Sequence, residues 1–454
     1  MKRTRETKIL YDFLFFSVTI LILFSCGGDK EGFTIAQKKI VDEINLAKVW
    51  SGHPADFDIL TTDKNQFVAY YDTSRNMCVA QRALNNKDWK FIKLPTVTRW
   101  DSHNYITMTK DRDGYIHISG NMHNVPLIYF RSKQPDNADE FEQLQMTGQD
   151  ESRATYPVFF NDSEGNLFFQ YRNGSSGNGV YFWNKYDEKN KQWNRVFGQG
   201  IFDGEGEVGA YPCNLKLGPD GYFHIVWTWR LNGNANSNND LSHMRSRDLV
   251  HWENMKGKQL SLPIMYSNSD VFVDPIGPWN GLINMGFYPC WDNQNRLCII
   301  YHRYNRDGIS QIFASRWESD KWKIYQISVW KDFRWDIDKA DAIPCDIEAS
   351  LLRPIGNNKL MCEYYHIKYG KGVWIIDEND FRIIKEIPNK TSSDLPEVLV
   401  NEKPQNDGMI INSIRDNTGN YLLHWETLSV NQDRPRKPPY PAPTMLKVIK
   451  LSKK

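Results

Sequence analysis

Charge of one sign is missing from this chain: 56 Lys and Arg against 55 Asp and Glu leave a formal charge of +1 over 454 residues. That is too little to hold a nucleic acid by its phosphates, so no nucleic-acid partner is expected. Cysteine is scarce, with seven in all. One of them, Cys26, falls in a leader, and the remaining six cannot supply a disulfide framework for so long a chain. Long amphipathic helical periods are absent, and the apolar run Phe13–Phe24 is too short to cross a bilayer. The glycine-rich stretch Gly174–Gly179 has no Lys-Ser or Lys-Thr after it, which excludes a phosphate loop.

Aromatic residues, by contrast, are plentiful: 16 Trp, 22 Tyr and 23 Phe, 13% of the chain, a composition that suits strands better than helices. The N-terminus opens with Lys2, Arg3, Arg5 and Lys8, passes through the apolar run, and ends in Leu23-Phe-Ser-Cys26 before Gly27-Gly-Asp. This is the pattern of an export leader with a bacterial lipoprotein cleavage site. It predicts residues 1–26 as the signal peptide, with Cys26 lipidated and the protein held in the cell envelope, touching the membrane through that anchor only. Residues 27–45 are expected to be a linker with a short helical segment from Phe33 to Asn45, and 46–454 a single monomeric domain.

A search for repeats decides the architecture. An apolar strand, a polar turn ending in Gly or Asn, and a second apolar strand recur around Asn65, Gly114, Gly165, Gly221, Asn295, Asn358 and Gly419, at intervals of 49, 51, 56, 74, 63 and 61 residues. Each interval is long enough for four strands, so the expectation is an all-β, seven-bladed β-propeller. Thr444–Leu451 should close it by pairing near Lys48–Ser51, which removes free sheet edges.

Repeat phase then groups residues by face. His53, His103, Tyr156 and Tyr211 enter first strands, whereas His123, Tyr171, Arg172, Arg230, His302, Arg303 and His366 leave second strands, all at one face. His103 and His123 cap the two open ends of one hairpin and should lie close together. His117 and His224 share a mid-strand position and read as repeat residues; His424 reads as satisfied internally, and His243 and His251 as surface residues on outer strands. The loop Gln170–Gly179 reads as a ligand rim, and the charged run Lys189–Arg195 as a solvated edge. Cys213, Cys290 and Cys345 each follow a proline and fall near inner strands. They are candidates to hold a structural metal ion, zinc or calcium, although buried unpaired thiols fit the same pattern.

The runs VWSGHPADFDILTTDKNQFVAYYD, WDSHNYITMTKDRDGYIHISGNMH and QYRNGSSGNG resemble the BNR-repeat propeller family that includes ulvan lyases and α-L-rhamnosidases acting on rhamnose linked to glucuronate. The resemblance implies an enzyme acting on a rhamnose- and glucuronate-containing polysaccharide, a lyase before a rhamnosidase, and the leader places it outside the cytoplasm. In the lyases two histidines, a tyrosine and a basic residue form the site; by position the first three match His103, His123 and Tyr171, while Arg172 and Arg230 are candidates for the cation and the position expected for it carries Lys185, which lacks an arginine's bidentate fork. β-Elimination needs a base for the C5 proton, a donor for the leaving oxygen and a cation against the uronate carboxylate. His103 or Tyr171 would serve as base or acid, and His123 would bind the carboxylate. His302 and Arg303 complete the expected substrate contacts, and no cofactor is required for the chemistry. The rhamnosidase branch implies instead a single histidine, matched to His53, at the opposite face. No full SxDxGxTW box and no arginine triad are present, so a sialidase ranks third. A non-catalytic glycan-binding propeller is the reading from another class.

Overall fold

The computed structural model describes residues 10–11, 37–340, 343–391 and 393–453; Cys26 and most of the leader lie outside the described residues. The described chain is all-β, a β-propeller, with a single four-residue α-helical turn at Glu397–Val400.

One local device recurs. In Asp111-Arg-Asp-Gly114 the Asp111 carboxylate accepts the N–H of Tyr115 at 2.8 Å, and Gly114, at φ +96, returns its own N–H to the Asp111 carbonyl. Only a residue without Cβ takes that φ cheaply. The same carboxylate bond to the residue four ahead returns at Asp162–Asn166 (2.8 Å), Asp292–Arg296 (2.9 Å) and Asp416–Asn420 (3.0 Å). The leading aspartate is thus as much a part of this turn as the closing Gly or Asn.

The chain divides into two compact units, one of residues 1–123, 127–145 and 393–454, the other of 124–126 and 146–392. The first unit holds three sheets: Asp58–Thr61 to Lys90–Val97; Ile106–Lys110, Ile116–Gly120, Tyr129–Gln134 and Asn137–Gln143; and Met409–Arg415, Tyr421–Leu428, Thr444–Leu451 and Ile40–Val49. The last of these joins the two chain ends, from Ile40↔Leu451 to Val49↔Thr444. The expected closure is therefore present and longer than foreseen, and the helix expected up to Asn45 is corrected. From Ile40 this segment is strand, because Ile44, Leu46 and Val49 turn inward against Thr444–Leu451 while Glu43, Asn45 and Lys48 stay exposed.

The second unit holds four larger sheets, centred on Leu167–Asn173, Phe223–Arg230, Leu297–Tyr304 and Lys359–His366. Seven equivalent blades are not what forms. Six sheets across the two units have four antiparallel strand positions, but the sheet around Phe223–Arg230 branches: Asn238–Ser246 pairs on its outer side with both Trp252–Glu253 and Phe272–Asp274. It lies in the 74-residue interval, the longest between turns, where the surplus chain supplies the competing strand.

Phe67, Val68, Ala69, Met77, Ile116, Ile118, Leu423 and Leu446 are fully buried in the first unit; Trp183, Trp227, Trp229 and Trp252 fill the second. Each buried Phe, Val, Met, Ile or Leu side chain contributes about 1.5–3 kcal/mol on leaving water, and the buried tryptophans likewise supply core before they supply function.

Candidate active site

The hairpin Ile106–Lys110/Ile116–Gly120 is in register from Ile106↔Gly120 to Lys110↔Ile116, and the two histidines stand beyond its open end. At Gly120 a Cβ would sit 2.5 Å from the Tyr105 carbonyl oxygen, so glycine permits the close approach there. Asn121 then takes φ +61 and donates its amide to Thr96 Oγ1 (2.6 Å) and the Val97 carbonyl (3.0 Å). Met122 is fully buried. The chain is thereby turned so that His123 faces His103, with ring centroids 4.1 Å apart and planes 27° from parallel.

Asp101 holds both rings. One carboxylate oxygen accepts the His103 backbone N–H (2.8 Å) and bonds His103 Nδ1 (2.7 Å), while the other bonds His123 Nδ1. Burial would raise this carboxyl, but the hydrogen bonds and charges of the two imidazoles draw it well below the ordinary range, so Asp101 is an acceptor at neutral pH. Each neutral imidazole is then held as the Nδ1–H tautomer, with its basic lone pair on Nε2. Asp433 adds a second carboxylate: it accepts from Ser102 N (3.1 Å) and Ser102 Oγ (3.0 Å) and lies 3.5 Å from His103 Nδ1. Burial opposes its ionisation and the His103 hydrogen bond favours it, with a net lowering.

His53 joins the same neighbourhood. Its ring lies 5.8 Å from Trp100, and the charges of Asp101 and Asp433 bear on it. Repeat phase was right to group it with His103, and the opposite-face placement implied by the resemblance is corrected. The ring is buried, which lowers its pKa to about 4. Trp50 Nε1–H donates to His53 Nδ1 at 2.9 Å. The proton of the neutral ring therefore sits on Nε2, which is buried without a partner, and neither nitrogen is a ready base.

In the second unit the hydroxyl of Tyr171 accepts from Arg195 Nη2 at 3.0 Å and donates to the Gln149 carbonyl at 3.2 Å. Burial raises its pKa, and the Arg195 charge opposes the rise. Arg195 was missed because Lys189–Arg195 read as a solvated edge; only its earlier residues fit that reading, since the Arg195 guanidinium lies over Phe182 at 4.0 Å. Arg172 follows Tyr171 on one strand and so points to the opposite sheet face, where it is buried between Tyr156 (4.8 Å) and Tyr211 (5.6 Å) and bonds the Tyr211 hydroxyl. Arg230 flanks Tyr211 at 5.3 Å and bonds the carbonyls of Asn234 and Gly233.

Other expected contacts are structural. Lys185 pairs with Phe168 and lies over its ring, whereas Tyr171 pairs with Phe182; that offset of three residues is about 10 Å, which separates it from the tyrosine. His302 is buried on the Gly281 carbonyl (2.8 Å), its pKa lowered by burial to about 4. Arg303 pairs with Asp274 (3.0 Å) over Phe313. His117 is held between Tyr129 and Asp111, in keeping with a repeat residue. His243, expected at the surface, is buried against His224 at 2.9 Å. The glycine loop packs inward, with Gly177 against the Leu231 carbonyl and Gly179 against the Arg172 side chain, so its glycines serve packing.

The cysteine metal site is also corrected. The sulfurs of Cys213, Cys290 and Cys345 each bond a backbone carbonyl, and burial pushes the thiols of Cys213 and Cys290 up to about 12, which disfavours the thiolate a metal needs. Among the described residues the one group of three ligating side chains that could hold an ion is Asp101, His103 and His123, whose donor atoms lie within 4.8 Å of one another.

A family model described as a BNR repeat-containing family member matches residues 65–330. An ulvan lyase, short isoform, of Alteromonas sp. (strain LOR) is 28% identical over 159 residues, covering 32% of this chain and 30% of that protein. A long isoform from Glaciecola sp. (strain KUL10) is 39% identical over 157 residues, 30% of this chain and 15% of its own. The chain thus spans less than a third of the length of these curated relatives. The crystal structure of polysaccharide lyase Uly1 superposes with a TM-score of 0.56 at 17% identity over 91% of this chain and 99% of that one. A PL25 ulvan lyase bound to -[GlcA(1-4)Rha3S]- does so with 0.58 at 14% identity, over 90% and 95%. At these identities the structures speak to the fold.

Proposed function

The chain belongs to the BNR repeat-containing family, and from that premise we propose that it is a polysaccharide lyase cleaving a uronate-containing, ulvan-like glycan by β-elimination. The observation that carries this reading is the pair of stacked imidazoles held through Nδ1 by a single ionised carboxylate. That arrangement orients two Nε2 atoms side by side. One can take the C5 proton, Asp101 stabilising the imidazolium that forms, while the other interacts with the uronate. The local likeness to ulvan lyases supports the same substrate class. Tyr171, its hydroxyl on Arg195, is the second acid–base candidate of this reading.

The hydrolase alternative rests on His53. Its spent Nδ1 and buried Nε2 speak against a base there, and a glycan-binding role alone leaves the ionised Asp101 between two imidazoles without a task. In the same proposal the protein acts as a monomer outside the cytoplasm, tethered through Cys26, and needs no metal. Incubation with ulvan and with a rhamnose-capped arabinogalactan separates the readings. New ultraviolet absorbance from an unsaturated uronate supports the lyase; free rhamnose without it would replace that reading with the hydrolase, and glycan retention without product would replace it with a binding module.

A further inference from the structure

The proline-rich loop that follows Leu428 reads in sequence as a connection. In the structure it walls a surface cleft of about 420 Å³, whose lining includes Asn431, Arg436, Lys437, Tyr440 and Pro441. That volume is in the range of sites that hold small molecules. The loop also carries Asp433, the carboxylate beside Ser102 and His103, and so belongs to the imidazole site through its own backbone.

Arg436 is the unusual member. Its Nη2 donates to the Ser429 carbonyl at 2.6 Å, while its Nε is buried without a partner. Neither Arg436 nor Lys437 forms an ion pair with a carboxylate of the described residues. A partly buried guanidinium with no counter-ion favours an incoming anion at its remaining Nη edge, because part of its desolvation has already been met. The charge of Arg436 is felt at His53, as are those of Asp101 and Asp433. Tyr440, 45% exposed, closes the rim against Trp50 (5.6 Å) and Trp100 (5.2 Å), and proline and tyrosine faces of this kind suit the C–H face of a sugar.

We propose that the loop from Asn431 to Pro441 is an acidic-sugar subsite beside the imidazole pair, in which Arg436, assisted by Lys437, binds the oxyanion of one saccharide unit and Tyr440 packs on its ring. The proposal rests on the reading of the substrate as an acidic glycan and deepens it by naming the cation. The oxyanion is a carboxylate or a sulfate ester.

The test titrates the full chain with glucuronate, glucose and glucose 6-sulfate, following affinity by calorimetry and backbone amide shifts by NMR. Glucuronate should bind at least 10-fold tighter than glucose and shift the amides of Arg436, Lys437 and Tyr440. Arg436→Gln should weaken it about 10-fold or more, and Lys437→Gln by a few-fold. Comparable binding of glucose 6-sulfate would show that the subsite takes oxyanions generally; its absence would show a carboxylate site. Equal binding of glucose and glucuronate, or shifts that miss the loop, would overturn the proposal. So would an Arg436→Gln variant of unchanged affinity. Since Arg436 also anchors Ser429, the wild-type shift map decides if that variant fails to fold. A monosaccharide has no glycosidic bond to eliminate, so failure of the lyase assay and failure of this binding test are separate results.

Discussion

Replacing Asp101 by asparagine keeps the shape of the side chain and removes its charge. The aspartate serves three N–H groups, two on one oxygen and one on the other. Asparagine has one oxygen to give, and its amide is a donor. If that oxygen stays with His103, where two bonds are made, the amide faces His123 Nδ1 and drives the His123 proton to Nε2. The variant thus loses the charge opposite the nascent imidazolium and the tautomer of one ring. Two unit charges about 4 Å apart at an effective dielectric of 20 interact by roughly 4 kcal/mol, or about three orders of magnitude in rate. His103 and His123 are 24% and 33% exposed, so solvent screening reduces this, and we expect kcat on an ulvan-type substrate to fall about 10²- to 10³-fold. Initial rates of unsaturated-uronate absorbance measure it, with circular dichroism to show that the fold persists. An Asp101→Asn protein that keeps a third or more of wild-type kcat would refute the role given to the carboxylate and with it the proposed chemistry of the pair.

Tyr171→Phe and Arg195→Met should each lower lyase kcat by about 10-fold or more, and full activity in both would remove Tyr171 from the acid–base assignment. His53 has a folded-state pKa of about 4 against 6.5 when unfolded. Its neutral state therefore contributes stability that is whole above pH 6.5 and lost as pH falls toward 4, at most about 3 kcal/mol; thermal melts of His53→Gln should show a flatter pH dependence across that window. Asp101 has a depressed folded-state pKa, so its contribution is present above about pH 4 and is lost below it, a dependence that melts of Asp101→Asn should lack. Dialysis against a chelator should leave lyase rates unchanged, whereas added zinc, competing for the nitrogens of His103 and His123, should inhibit; loss of activity on chelation would instead identify the Asp101 group as a metal centre.

The recurrent strand–turn–strand unit carried the fold class, because turn chemistry is local and repeats along the chain. The hairpin ends were legible for the same reason: pairing from Ile106 to Gly120 forces residues just outside it together, so His103 and His123 could be joined from sequence. Local rules did not reach the partners that arrive from elsewhere. Asp433 comes to His103 across more than 300 residues of sequence and looked like part of a proline-rich connection, and Arg195 looked like the end of a charged run until its strand brought it to Tyr171. Face assignment failed at Arg172 because residues adjacent on a strand diverge, however close they are in number. It failed again at His302, whose neighbours bury it.

The amino-acid order by itself determined the repeat, the strands and the imidazole pair, since these depend on contacts between near neighbours or across one turn. Tertiary structure alone decided which carboxylate holds the pair, which cations stand without a counter-charge, and that one sheet branches. Those outcomes depend on long-range pairing, and on which polar groups are left over once the core has closed.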